Sequence, residues 1–201
     1  MQTKKKIAVF LSGRGSNFES IYQDSLENSA NYRIAIVISD NPEAKGIERA
    51  KTFGLETAVF DRKAFKSKKK FEQQIVERLK QADIELICLA GYMRIVGKTI
   101  LHEYHNRILN IHPSLLPAFP GLDAQQQAFD HGVKISGCTV HLVDNGIDTG
   151  PILFQSAVKV SETDSADSLS KKILKEEHII YPKAIRWYIN NEEKILDRSK
   201  A

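Results

Sequence analysis

Cysteine is scarce in this chain of 201 residues: Cys88 and Cys138 are the only two, each set in an apolar stretch, and no CxxC pair occurs. A disulfide framework is thereby excluded and a zinc or thioredoxin-like centre disfavoured, so two buried, reduced thiols are expected. Long hydrophobic runs are missing too. Those present, such as the one ending at Leu89-Ala90, are far too short to span a bilayer, and no membrane association is expected. The basic start, Met1-Gln2-Thr3-Lys4-Lys5-Lys6, is followed by an apolar run of only a few residues, too short for a secretory leader, so the chain reads as cytoplasmic. Neither sign of charge dominates: 29 Lys and Arg against 25 Asp and Glu leave +4, a mild surplus that suits an anionic small molecule. Lys66, Lys68, Lys69 and Lys70 form a local basic cluster without interleaved aromatics, so nucleic acid is not an expected partner. His102 and His105 stand at i, i+3 and not in a His-Glu-x-x-His pattern; both read as surface helix residues, and no metal is expected.

What is present is an ordinary globular composition, 42% hydrophobic and 27% charged, with enough length for a well-buried core. Short β-branched runs alternate with helical periodicity. Ile7 to Leu11, Ile34 to Ile38, Thr57 to Phe60, Ile84 to Leu89 and Arg107 to Ile111 read as strands. Between them, Phe18, Ile21, Tyr22 and Leu26, then Ala44 to Phe53 closed by Gly54, then Phe71, Ile75, Val76 and Leu79 mark helices. This alternation implies βαβ units and a mostly parallel, Rossmann-like α/β sheet with helices on both faces. After Gly137 the pattern changes. Cys138 to Val143 and Ile152 to Val160 are strand-like and close together, and they predict an antiparallel hairpin that extends the sheet. A long amphipathic segment, Ser165 to Ile189, follows; Pro182 should bend or break it. No repeat or linker divides the chain, which reads as one domain over 1–201.

Three stretches carry candidate chemistry. Ser12-Gly13-Arg14-Gly15-Ser16-Asn17 follows the first strand and opens a helix, where free N–H groups can receive a phosphate. It is neither a GxGxxG fingerprint nor a Walker A loop, and it also reads as a plain capping box, with Ser16 as N-cap and Glu19 three residues on. In Leu109-Asn110-Ile111-His112-Pro113, alternation puts Asn110 and His112 on one face at the carboxyl end of a strand, where ligands bind in open α/β sheets. Asp148 lies in the Gly-containing loop Asp144 to Pro151, which does not match an EF-hand.

Taken together, the motifs resemble the folate-dependent formyltransferase family, from Ile7 to about Tyr188. The anchors are SGRGSN at 12–17, LAGYMRIV at 89–96, NIHPSLLPAFPG at 110–121, HLVDNGIDTGPIL at 141–153 and EEHIIYP at 176–182. The resemblance points to the branch that formylates glycinamide ribonucleotide in purine synthesis. It implies 10-formyltetrahydrofolate as co-substrate, no metal, and attack of the substrate amine on the formyl carbon. It implies that Asn110 donates to the tetrahedral oxyanion, His112 acts as acid/base or charged stabiliser, and Asp148 orients His112 and helps move protons. By motif, Gly15, Ser16 and Asn17 would hold the ribose phosphate and Glu177 the glycinamide end. Met93, Arg94, Ile95 and Val96 would line the pterin pocket, with the loop Asp144, Asn145, Gly146, Ile147 and Asp148 closing over it and Asn110 beside it. Lys68 stands where the family can carry an arginine near the folate, and Leu142 where an aromatic is more usual. Leu116-Pro117 is a candidate cis peptide.

Related activities make distinct expectations. A deformylase usually carries an N-terminal regulatory domain, and a methionyl-tRNA formyltransferase a C-terminal tRNA domain; strand one begins at Lys6 and the chain ends at Ala201, leaving room for neither. Sugar-nucleotide formyltransferases have no use for the SGRGSN turn in this form. A nucleotide-binding module without catalysis would keep binding after loss of His112. No long exposed apolar stripe stands out, so a monomer or weak homodimer is expected.

Overall fold

The computed structural model describes residues 4–198. Seven strands form one sheet in the order β3-β2-β1-β4-β5-β6-β7. They are β1 (Lys5–Leu11), β2 (Tyr32–Ser39), β3 (Thr57–Val59), β4 (Leu86–Leu89), β5 (Ile108–His112), β6 (Ile135–Leu142) and β7 (Ile152–Lys159). The first five run parallel, and β6 and β7 add on as the expected antiparallel hairpin. Helices cover both faces, as the alternating pattern requires. On one face lie α1 (Ser16–Ser25), α2 (Lys45–Thr52), α5 (Ala124–Asp130) and α6 (Ala166–Arg198); on the other lie α3 (Lys68–Gln81) and α4 (Lys98–Glu103).

β1 shows why the centre is parallel. Ile7, Val9 and Leu11 enter the core under α1, α2 and α6, while Ala8 and Phe10 enter the core under α3 and α4. All five are fully buried. A strand apolar on both sides needs a helix layer on each, and each large side chain so buried stabilises by roughly 1.5–3 kcal/mol. The β1–β2 register slips between Ile7 and Ala8, so Ala35 is the extra residue in β2.

Several sequence expectations change in detail. Helix α5 was not foreseen: its buried face consists of Ala124 and Ala128, too small to raise an apolar period. His105 falls in the turn after α4, and only His102 is helical; both are exposed. Pro182 does not break α6, which runs on as one helix. The proline removes a donor from the His178 carbonyl, a cost of about 3 kcal/mol in a free helix. Buried Tyr181, Ala184, Ile185 and Tyr188 flank it and hold both halves against the sheet. The Tyr181 hydroxyl donates to the carbonyls of Leu89 and Leu109, and that of Tyr188 to the carbonyl of Asn106. Cys88 and Cys138 are buried and free, and the Leu116-Pro117 bond is cis. No helix among the described residues is long and apolar enough to cross a membrane.

Candidate active site

The carboxyl ends of β1, β4 and β5 lie side by side, and the sequence-predicted residues gather there. Asn110 and His112 project from one face of β5, while Leu109 and Ile111 enter the core on the other. The β6–β7 loop folds back over this end and delivers Asp148 in a left-handed conformation, φ 55°. Asp148 Oδ2 lies 3.3 Å from His112 Nδ1 and accepts from the Gly121 N–H at 2.8 Å. Its Oδ1 lies 3.5 Å from the Asn110 amide nitrogen. The three predicted catalytic residues therefore form one contact cluster.

Two acceptors face the His112 ring. Its Nε2–H donates to the carbonyl oxygen of Phe119 at 2.9 Å, and its Nδ1 stands 3.3 Å from the Asp148 carboxylate. Burial works to raise the Asp148 pKa, but hydrogen bonds from His141 and the Gly121 N–H, with the charges of His112 and His141, outweigh it and hold the carboxyl below its ordinary 3.8. The site thus holds a carboxylate kept anionic against a buried histidine ring.

His141 was not singled out from sequence. It lies opposite Asn110 in the β5–β6 ladder. Its Nδ1 donates to the Leu142 carbonyl at 2.8 Å, leaving Nε2 between the Asn110 amide at 3.1 Å and Asp148 Oδ1 at 3.5 Å. Nε2 is thus within reach of both the Asn110 amide and the Asp148 carboxylate. Two backbone groups were also missed, the Phe119 carbonyl and the Gly121 N–H. Thr139 and His141 alternate as polar positions in a strand otherwise apolar from Cys138 to Leu142, and that was the available signal for His141.

The Gly-rich turn is a corner of backbone. Gly15, with φ 77°, is the N-cap of α1 and makes no side-chain cap. Ser16 is the first helical residue, so the capping-box reading with Ser16 as N-cap is corrected, and Glu19 instead pairs with Arg49 at 2.6 Å. A Cβ on Gly15 would stand 3.0 Å from the Gly46 Cα, and one on Gly46 would overlap Leu11. Both glycines are needed to bring α2 onto the turn. Asn17 is buried and donates to Glu177 Oε2 at 2.7 Å, while its Oδ1 is buried without a partner among the described residues. Burial pushes the Glu177 carboxyl above its ordinary 4.5, and the Asn17 amide offsets this only in part.

The residues matched to the folate pocket divide. Met93, Arg94, Ile95 and Val96 line a cavity of about 300 Å³ together with Lys68, Phe71 and Glu72. An adjoining open cleft of about 960 Å³ shares Lys68, Ile95 and Val96 and reaches Asn145. Asp144 accepts from the Gly146 N–H and the Thr149 hydroxyl, so its carboxylate shapes its own loop. Gly146 and Ile147 stand exposed on that loop. Met93 and Ile95 are also exposed, at 69% and 64%, an apolar rim at the cavity mouth.

A family model described as formyl transferase matches residues 5–185. Over 182 residues the chain is 50% identical to the phosphoribosylglycinamide formyltransferase of Bacillus subtilis (strain 168), which spans 90% of this chain and 93% of that protein. It is 40% identical, over 94% of its length, to the trifunctional purine biosynthetic protein adenosine-3 of Drosophila melanogaster, of which it spans 14%. Among solved structures, the glycinamide ribonucleotide transformylase 1 of Symbiobacterium toebii is similar with a TM-score of 0.91 at 48% identity, covering 94% of this chain and 89% of that one.

Proposed function

The chain belongs to the formyl transferase family, and from that premise we propose that it transfers the formyl group of 10-formyltetrahydrofolate to the amine of 5-phosphoribosylglycinamide in purine biosynthesis. The products are the N-formyl nucleotide and tetrahydrofolate. The observation that carries this reading is the Asn110–His112–Asp148 cluster at the carboxyl end of β5, set between the Gly15–Asn17 turn and the Met93–Val96 cavity. No metal is assigned a part in the reaction. We place the protein in the cytoplasm, as one domain and a monomer or weak homodimer.

On this reading the amine attacks the formyl carbon, a C–N bond forms and the carbonyl oxygen becomes an oxyanion. The Asn110 amide and the His112 Nε2–H are the donors that serve that oxygen. To reach it, His112 exchanges the Phe119 carbonyl for the oxyanion. Asp148 orients the His112 ring and, with His141 at its other oxygen, offers a route for the proton that leaves the amine. The C–N10 bond then breaks, and N10 gains a proton as tetrahydrofolate departs. Gly15, Ser16 and Asn17 hold the phosphate, and the unpartnered Asn17 Oδ1 beside Glu177 supplies an acceptor for the nucleotide. Lys68 meets the anionic end of the folate at the cavity mouth.

The test is tetrahydrofolate release from 10-formyltetrahydrofolate with and without the nucleotide. Release that depends on the nucleotide is expected. Equal release without it would make the protein a hydrolase and remove the phosphate role of residues 15–17.

Glu177 gives a second check. Its raised pKa returns to the ordinary range on unfolding, so between 4.5 and its folded value the native state binds more protons than the unfolded chain. Stability therefore falls as pH rises through that window, and above it the buried carboxylate is a net cost. Glu177→Gln is expected to unfold at a higher temperature than the wild type at neutral pH, with the gain vanishing below about pH 4.5. Its KM for the nucleotide should nevertheless rise about tenfold, the loss of one hydrogen bond to a charged group. Thermal unfolding across pH and steady-state kinetics measure the two effects; a loss of stability at neutral pH would contradict the first.

A further inference from the structure

Between the two substrate regions runs a chain of hydrogen bonds that the transfer chemistry does not use. Strands β2, β1 and β4 are neighbours, and just beyond their carboxyl ends stand Asp40, Ser12 and the segment from Gly91. The Ser12 hydroxyl donates to Asp40 Oδ1 at 2.5 Å and accepts from the Met93 N–H at 2.9 Å. Arg94 Nε donates to Asp40 Oδ2 at 2.7 Å. The Ser12 N–H donates to the Gly91 carbonyl, and the Asn41 amide to the Ser12 carbonyl.

The polarity of this chain is fixed by chemistry. A carboxylate only accepts, so the single hydroxyl proton of Ser12 goes to Asp40, which leaves the serine oxygen free to accept from Met93. Donors on both sides thus converge on one anion, and linked bonds of this kind reinforce one another. The Asp40 side chain is 10% exposed, whereas that of Arg94 is 41% exposed. The Arg94 guanidinium also lies over the Phe71 ring, 5.9 Å from its centroid, at the wall of the cavity. Ser12 opens the turn that leads to Gly15, Ser16 and Asn17; Met93 and Arg94 belong to the segment assigned to the formyl donor.

We propose that Asp40 is a positioning residue that locks the nucleotide turn to the formyl-donor segment, so that amine and formyl carbon meet at a fixed separation. The inference rests on the transfer reaction proposed above. Asp40 touches neither substrate; it acts through Ser12 on one side and Arg94 on the other.

The test is steady-state kinetics with each substrate varied in turn, on protein checked for folding by thermal unfolding. Asp40→Ala should raise the KM of both substrates by about tenfold, because it removes the acceptor of two bonds, one of them charged. Asp40→Asn keeps an acceptor for Ser12 but not the charge facing Arg94. It should raise only the KM of the formyl donor, by about threefold, as befits a part-exposed ion pair. Arg94→Ala should affect the formyl donor alone, and Asp40→Ala/Arg94→Ala should be no worse for that substrate than Asp40→Ala, since both remove one link.

An unchanged nucleotide KM in Asp40→Ala, or additive effects in the double variant, would overturn the proposal. If Asp40→Ala does not fold, the cycle of Asp40→Asn with Arg94→Ala decides by the same criterion of additivity in the formyl-donor KM. Wild-type protein that releases no nucleotide-dependent tetrahydrofolate sinks the transfer reading and this inference together. Wild-type transfer with unaltered KM values in Asp40→Ala sinks this inference alone.

Discussion

Asp148→Asn is expected to lower kcat by roughly 10²–10⁴ and to leave the protein folded, the range typical for loss of a positioned acid–base partner. Oδ2 receives the Gly121 N–H and stands 3.3 Å from His112 Nδ1; Oδ1 faces the Asn110 amide and His141 Nε2. An asparagine that keeps its oxygen towards Gly121 turns its own amide towards that of Asn110, setting donor against donor. The carboxylate charge that faces the His112 ring is lost at the same time, in a site where His112 is 5% exposed and poorly hydrated. Nothing then holds the ring in the orientation from which Nε2–H leaves Phe119 for the oxyanion. Because the defect lies in the transition state, KM for either substrate should move far less than kcat. Rapid-quench or steady-state kinetics on the variant measure this; a fall in kcat of less than tenfold would show that the carboxylate charge is dispensable.

How much of this arrangement could be read beforehand follows from which interactions are local. Strand alternation is local, so the common face of Asn110 and His112 was legible from four residues, and Pro113 marked the strand end. The alternation of short apolar runs such as Ile7 to Leu11 with helical periods was enough for a mostly parallel sheet with helices on both faces. Register between strands is not local. His141 comes to Asn110 only because β5 and β6 pair with those two residues opposed, and nothing in either strand alone fixes that offset. The Phe119 carbonyl and Gly121 N–H are backbone groups with no side-chain signature. Ser16 and Glu19 matched a capping box by spacing, but Gly15 can adopt a left-handed conformation that a serine cannot adopt cheaply, and that conformation displaced the cap by one residue. The helix through Pro182 shows tertiary packing overriding a local breaker. The link from Ser12 to Asp40 and Arg94 joins residues 28 and 54 positions apart, and no periodicity reports such a contact.

Asn110→Ala is expected to lower kcat by roughly 10²–10³, the loss of one preorganised donor to an oxyanion, or about 2.7–4 kcal/mol. Asn110 is suited to that role because its amide is held before substrate arrives. Its nitrogen carries two N–H groups, one directed to His141 Nε2 at 3.1 Å and the other only 3.5 Å from Asp148 Oδ1; the second, loosely held, is the one free to turn to the oxyanion. Truncation removes the donor and also a side chain that packs against both His141 and Asp148. Two effects are therefore mixed in the alanine variant, and Asn110→Asp separates them. The aspartate has nearly the same shape and fills the same space, but it offers no N–H and adds a negative charge beside Asp148 and beside the developing oxyanion. If Asn110 acts by donation, aspartate should be at least as damaging as alanine. If it acts mainly as a spacer in the cluster, aspartate should retain most of the activity. Single-turnover rates for the two variants, compared at saturating substrate, decide between donation and spacing, and retained activity in Asn110→Asp would remove Asn110 from the oxyanion site.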